Sequence, residues 1–307
     1  MKKYSIGIDV GGTNIKFGLV DDRAKIAARA HLSTANFIRN RKKFIEAIIE
    51  RIEFLIIKNN LNKNNILGIG FGLPGLINPP EGMVKFLPNI PGWKDVPLKS
   101  LIEKRLKIPT FLENDVNLIA LGEWKYGAGF GCKNLICLTL GTGVGGGLIL
   151  DGRLYRGEGF AAGELGHMPL NEKGPRCNCG GIACFERYVG NRQILEKARK
   201  FFKKGEISRI QDLFPLANQG DKRAIQAWEE VSTHIGHGLI GVVNLLNPRL
   251  IVIGGGVSNN FKFLYKTINK IILKRAMRVQ AKMVKIVRAK LGDDGGILGA
   301  DVLIRNL

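Results

Sequence analysis

Apolar positions along the chain recur with two periods, and the chain turns where the period changes. "YSIGIDV" is a short apolar run ending at glycines, and "IKFGLVD" and "KIAARAHLST" read as two further strands of a meander. "RKKFIEAIIERIEFLIIKNN" then repeats its apolar residues at helical spacing, and "ILGIGFGLPG" is again a buried strand ending in glycine and proline. From Asn134 the order starts over, with strand "NLICLTL", turn "GTGVGGG", strand "GGGLILDG", a cysteine-rich insert and the long helix "DKRAIQAWEEVSTHIGHGLIGVVNLLN". Strand "RLIVIGGG", helix "NNFKFLYKTINKIIL", strand "AKMVKIVRA" and a last helix from about Ile297 complete the second unit. The pattern predicts an α/β protein made by duplication, with glycine turns at the same place in each half.

At 307 residues and 45% hydrophobic, the chain can bury a full core and has a length suited to two domains. "MKK" is followed by a run that breaks at Asp9, and no apolar run approaches the ~18 residues of a membrane span, so the chain reads as soluble and cytoplasmic. The net charge of +21 raises the question of nucleic acid. Yet "IRNRKKF", "LEKARKFFKKGE" and "KIILKRAMRVQAKMVKIVRAK" read as solvated helix faces, and no helix-turn-helix, zinc-finger spacing or aromatic RNA-binding signature accompanies them. No sequence-specific nucleic-acid partner and no membrane partner is expected.

Two glycine turns carry candidate chemistry. In "DVGGTNIK", Gly11 and Gly12 let backbone N–H groups approach phosphate oxygens, Thr13 adds a hydroxyl donor, Asn14 and Lys16 complete the stretch, and Asp9 can hold a hydrated divalent cation. "LGTGVGGG" offers the same chemistry through Gly141, Thr142, Gly143, Gly145 and Gly146. Each alone could be a tight hairpin, but the matching pair suggests a nucleotide clamped between domains. Neither fits a P-loop or a dinucleotide fingerprint, because here the glycines join strand to strand. A third run, Gly254, Gly255 and Gly256 in "IVIGGGV", ends a strand where the chain could pass close to an adenine or ribose. Between the halves, the strand "IPTFLEN" ends at Asn114 and Asp115 before a helical pattern, so Asp115 is either a helix cap or a general base at the cleft mouth.

Three of the five cysteines fall in "GELGHMPLNEKGPRCNCGGIACFE". In a reducing cytosol such a cluster is more often a metal site or redox group than a disulfide. Cys132 and Cys137 stand apart, and Cys137 reads as a buried strand residue. His234 and His237 read as packing residues of the long helix and His31 as part of a surface strand, so none is given a role.

In order, "DVGGTNIK", "GLPG", "END", "LGTGVGGG", "GELGH", "CNCGGIACFE" and "VIGGGV" resemble the ROK family of sugar kinases and related transcriptional repressors over essentially the whole chain. The resemblance implies the actin-like, hexokinase-like ATPase fold: a small α/β domain over 1–115, a large one over 116–295 with the cysteine loop, and a terminal helix over about 296–307 returning to the small domain. It implies transfer of the γ-phosphoryl of ATP, with Mg²⁺, to the 6-hydroxyl of glucose, with N-acetylhexosamines as the alternative acceptors. By motif position Asp115 would be the base, and Asn114, Glu164, His167 and Glu186 would line the sugar site. His167, Cys177, Cys179 and Cys184 would hold a structural Zn²⁺ with no open position. A homodimer is expected from the same resemblance. The family's repressors carry a DNA-binding segment ahead of the first glycine turn, for which the residues before Asp9 leave no room. Asn178 and Ala183 stand where the family pattern has glycine, and the loop is expected to tolerate them.

Overall fold

The computed structural model describes residues 2–37, 40–88 and 90–306. Ile38 and Arg39 of the basic "IRNRKKF" stretch lie outside these residues, as do Met1, Asn89 and Leu307. The first unit runs β1 (Tyr4–Val10), β2 (Asn14–Val20), β3 (Ile26–Ser33), α1 (Arg41–Lys58) and β4 (Ile66–Leu73). It continues with a small sheet of β5 (Leu76–Asn78), β6 (Met83–Phe86) and β7 (Lys94–Val96), then α2 (Leu98–Leu106) and β8 (Thr110–Asn114). After α3 (Asp115–Tyr126), the second unit runs β9 (Leu135–Leu140), β10 (Val144–Leu150), β11 (Arg153–Tyr155), α4 (Glu186–Val189), α5 (Asn191–Ala198), α6 (Leu213–Asn218) and α7 (Lys222–Leu246). It ends with β12 (Leu250–Gly254), α8 (Phe261–Arg275), α9 (Arg278–Met283), β13 (Lys285–Arg288) and α10 (Gly295–Arg305).

The duplication is visible in the sheets. The first has the order β3-β2-β1-β4-β8 and the second β11-β10-β9-β12-β13. In each, the opening three strands pair antiparallel and the last two add in parallel to the other side of the first strand. The central parallel strands are mostly buried and apolar, Leu250 to Gly254 for example, as a sheet covered on both faces requires.

The expected strand "AKMVKIVRA" is shorter than its apolar pattern suggests. Ala281 to Met283 belong to α9, and extended chain begins only at Lys285, where Ile286 pairs with Ile251. Only Ala281 of α9 is buried, so nothing in the sheet competes for that segment and local helix propensity prevails. The β5–β7 sheet and α2, inserted between β4 and β8, were not anticipated; their strands are too short to show a period.

Between the two main sheets lie α3 and α10. The last helix packs across the first sheet, where the bare faces of Gly7 and Gly70 accept Ile297 and Ala300. On its other side it crosses α3 so closely that a Cβ on Gly299 would fall on the Leu118 carbonyl oxygen, and one on Gly122 would lie 2.5 Å from the Gly295 oxygen. In turn α3 lies on β10, where Gly145 and Gly147 leave space for Val116 and Ala120. At Gly122 and Gly299 helix propensity is given up for backbone-to-backbone approach.

This crossing sets opposite expectations for two glycines. Gly299→Ala should lower stability by about 1–3 kcal/mol, the usual cost of overpacking. Gly241→Ala, in an exposed part of α7 with open space around it, should gain about 0.5–1 kcal/mol. Denaturant melts of the two variants check both signs.

Candidate active site

The first glycine turn joins Val10 to Ile15, and within it Gly11 N–H donates to the Asn14 carbonyl (3.0 Å). Thr34 holds it from behind: its hydroxyl donates to Gly11 O (3.0 Å) and its N–H to Thr13 O (2.9 Å). Gly12, Thr13 and Asn14 are left exposed. The second turn joins Leu140 to Val144, with Gly141 N–H on Gly143 O (3.0 Å) and Asn191 N–H, from the start of α5, on Gly141 O (2.8 Å). Here Thr142 and Gly143 are exposed. Each turn is thus pinned by an outside segment and presents its tip to solvent.

The remaining candidate phosphate-binding residues are spread differently. Gly145 and Gly146 lie inside β10, their bare faces taken up by Val116 and by Gly163 with Leu165. Gly255 has φ 77° and packs on the Leu140 carbonyl, bringing the third glycine run beside the second turn. Gly254 ends β12 and Gly256 is exposed. Lys16 pairs with Asp293 (2.9 Å).

Asn114, and not Asp115, is the helix cap. Its Oδ1 accepts from the N–H groups of Val116 (2.9 Å) and Asn117 (3.2 Å), while its Nδ2 donates to Gly75 O (3.3 Å) in the "GLPG" turn. Asp115 is left as the first residue of α3, partly accessible, with its carboxylate accepting only from Val116 N–H (2.9 Å). Crowding by protein, the charge of Asp9 and, less, that of Glu164 push its pKa up to about 6. Asp9, beside Gly296 at the start of α10, is itself raised by burial, with Lys16 acting against the shift. Two carboxylates from different elements therefore lie close enough for the charge of Asp9 to act on Asp115.

Glu164 and Glu186 frame the cysteine loop. His167 lies in a short turn over Leu165–His167, its Nδ1 3.8 Å from Cys177 Sγ and its Nε2 3.8 Å from Glu164 Oε2. Cys179 and Cys184 Sγ atoms are 3.6 Å apart, and one ligand atom from each of His167, Cys177, Cys179 and Cys184 lies within 4.8 Å of all the others. Ligands about 2.3 Å from a tetrahedral centre stand about 3.8 Å from one another, so three thiols and an imidazole at this spacing fit zinc. Glu186 Oε1 is 3.3 Å from Cys177 Sγ, and its other oxygen would be 3.0 Å from a Cβ on Gly143. One carboxylate thus adjoins the thiol cluster and the second glycine turn.

Of the two departures from the family pattern, Ala183 takes the left-handed backbone (φ 53°), while Asn178 does not. Ala183 is fully buried, and its N–H and carbonyl are bonded to Pro175 O (2.9 Å) and Leu170 N (2.9 Å), which holds the strained conformation in place. His234 accepts from Lys197 Nζ (3.1 Å) and is pushed down to about 4, mainly by burial, so it stays neutral near pH 7. His237 adjoins Arg275 (3.1 Å), and His31 is exposed on β3.

Sequence reading assigned nothing to Glu113 or Arg156. Glu113 is 1% exposed at the end of β8. Its Oε2 accepts from Arg156 Nε (2.6 Å), and its Oε1 from Asn114 N–H (2.9 Å) and Asn117 Nδ2 (2.9 Å). The available signal was a glutamate in a strand whose neighbours are apolar, since a buried carboxylate needs partners.

Over nearly its whole length the chain is similar to known proteins. A glucokinase of Thermotoga maritima is 34% identical over 312 residues, covering 98% of this chain and 96% of its own. A xylose repressor of Caldicellulosiruptor bescii is 30% identical over 97% of this chain and 77% of its own. The crystal structure of a ROK family glucokinase from Streptomyces griseus in complex with glucose and AMPPNP is similar with a TM-score of 0.82 and 29% identity, over 99% of this chain and 100% of that one. The fold is the actin-like, hexokinase-like ATPase fold, with its α/β unit used twice. The sequence pattern of the ROK family matches residues 5–306, so from its first strand to its last helix this chain belongs to the ROK family.

Proposed function

We propose that this ROK sugar kinase transfers the γ-phosphoryl group of ATP to the 6-hydroxyl of D-glucose, with Asp115 as the general base. The observation that carries the reading is Asp115 itself: a partly accessible carboxylate at the start of α3, raised to about 6 by burial and by the charges of Asp9 and Glu164. A base poised near neutrality takes a proton from a hydroxyl more effectively than an ordinary aspartate. A sugar-responsive regulator, the reading a repressor relative suggests, needs hydroxyl-binding groups but no such base.

In this reading the tips of the turns, Gly12 with Thr13 and Thr142 with Gly143, donate N–H groups to the phosphates. Mg²⁺, held near Asp9, would neutralise phosphate charge. Glu164 and Glu186 accept hydrogen bonds from ring hydroxyls. Asn114, with one amide hydrogen already on Gly75 O, has the other for the sugar. Zinc on His167, Cys177, Cys179 and Cys184 would fix a loop with little regular structure, and with it the neighbouring Glu164, whose Oε2 lies 3.8 Å from His167 Nε2. Closure of the two units over the substrates would exclude water as a competing acceptor.

Asp115→Asn should lower kcat by about 10²–10⁴ while glucose binding measured by calorimetry largely persists; near-normal kcat would remove the base assignment. In the wild type, kcat/KM should fall as pH drops through about 6. The stability effect has the opposite sign. A carboxylate with a raised folded-state pKa favours folding below the ordinary value of 3.8 and loses that contribution as pH rises through about 6. Asp115→Asn should therefore melt at or above the wild-type temperature at pH 7.5.

Metal analysis should find close to one zinc per chain, and Cys179→Ser should lose both metal and thermal stability. Folded, active protein without zinc would reject the site.

A coupled ADP-release assay across hexoses should give the highest kcat/KM for glucose. Sites that hydrogen-bond hydroxyls reject analogues lacking one, because their own groups are left unpaired. A higher value for N-acetylglucosamine or N-acetylmannosamine would overturn the choice of sugar and leave the kinase chemistry standing.

A further inference from the structure

The hydrogen bonds of Glu113 connect the two sides of the candidate site. One oxygen grips the residues flanking Asp115: the backbone of Asn114, which caps α3, and the side-chain amide of Asn117 one turn further on. The other oxygen takes Arg156 Nε from the far unit (2.6 Å). Arg156 directly follows β11, and its carbonyl accepts from Ala162 N–H (2.9 Å), closing the turn from which Gly163 and Glu164 depart. Gly163 is then held against Gly146, where a Cβ would lie 2.6 Å from the Gly146 oxygen. The route from Asp115 to Glu164 thus runs through one buried carboxylate and one guanidinium.

We infer that Arg156, acting through Glu113, is a positioning residue that sets the start of α3, and with it Asp115, in register with the loop carrying Glu164 and His167. This rests on the kinase reading above. No other ion pair among the described residues joins the end of β8 to the second unit. A carboxylate this deep in a strand has no need to be charged for stability, since apolar or neutral groups of similar shape often serve as well. What a neutral pair loses is the directed Nε–H to carboxylate bond between units. In an enzyme whose acceptor is held from one side and deprotonated from the other, a small loss of register lowers the rate far more than it lowers stability.

The test separates positioning from structure. Arg156→Met alone leaves Glu113 charged and uncompensated, and should lower both the melting temperature and sugar kcat/KM. Glu113→Gln with Arg156→Met removes both charges while the glutamine oxygen still accepts from Asn114 and Asn117, so the melting temperature should rise above that of Arg156→Met. Sugar kcat/KM should nevertheless stay at least about 10-fold down, mostly in kcat, with KM for ATP within about two-fold. Hydrogen exchange, which needs no turnover, should show faster exchange in both the 113–120 and 156–168 segments of the double variant. Unchanged exchange in the 156–168 segment overturns the inference. So does a double variant with wild-type sugar kcat/KM. Wild-type protein that phosphorylates no hexose would sink the kinase reading alone, with the exchange result still deciding the tie.

Discussion

The crossing of α3 and α10 is the constraint from which most of the architecture follows. One helix must lie against the other and also against the second sheet, and Gly299 over the Leu118 carbonyl leaves no thickness to spare. The two helices between the sheets are therefore held at backbone contact, and the position of α3 in turn fixes that of Asp115, its first residue. Gly122, Gly145 and Gly147 serve the same helix, so much of the glycine in the second turn's motif answers to packing. Its exposed tip, Thr142 and Gly143, is what remains for a ligand.

The site concentrates negative charge in a strongly positive protein. Asp9, Asp115, Glu164 and Glu186 converge, although the chain carries a net charge of +21. The surrounding cations are mostly committed elsewhere: Lys16 to Asp293 and Arg156 to Glu113. Burial and mutual repulsion hold Asp115 well above its ordinary range, an arrangement that costs stability near neutral pH and fits the base proposed for it. A divalent cation or substrate hydroxyls would relieve this repulsion, so the site is built to be more stable when filled.

The cysteine loop solves a different problem. From Arg156 to Val189 the chain has almost no regular structure, only a short turn and one four-residue helix. It nevertheless has to hold Glu164 and Glu186 at fixed places. Three thiols and His167 lie close enough to share one metal ion, which would do there what a hydrophobic core does elsewhere, and Ala183 can be kept in a left-handed conformation because hydrogen bonds on both sides bind it there. Arg156 anchors the near end of this loop to the first unit through Glu113.

By itself the sequence determined the longer elements and their duplication, because period and turn chemistry are local properties: the meander of β1 to β3, the long α7 and the strand ends at Gly11, Asn114, Gly141 and Gly254 all lie where the pattern places them, to within a residue or two. Its motifs also brought the four candidate metal ligands into view, through their resemblance to the ROK family pattern. Only the tertiary structure decided that Asn114 caps the helix and leaves Asp115 free, that Gly145 and Gly146 make room for neighbours, that Ala281 to Met283 stay helical, and that Glu113 reaches Arg156. The physical reason is common to all four. Burial, charge and close approach at one residue are set by residues tens of positions away, and no local period records which those will be.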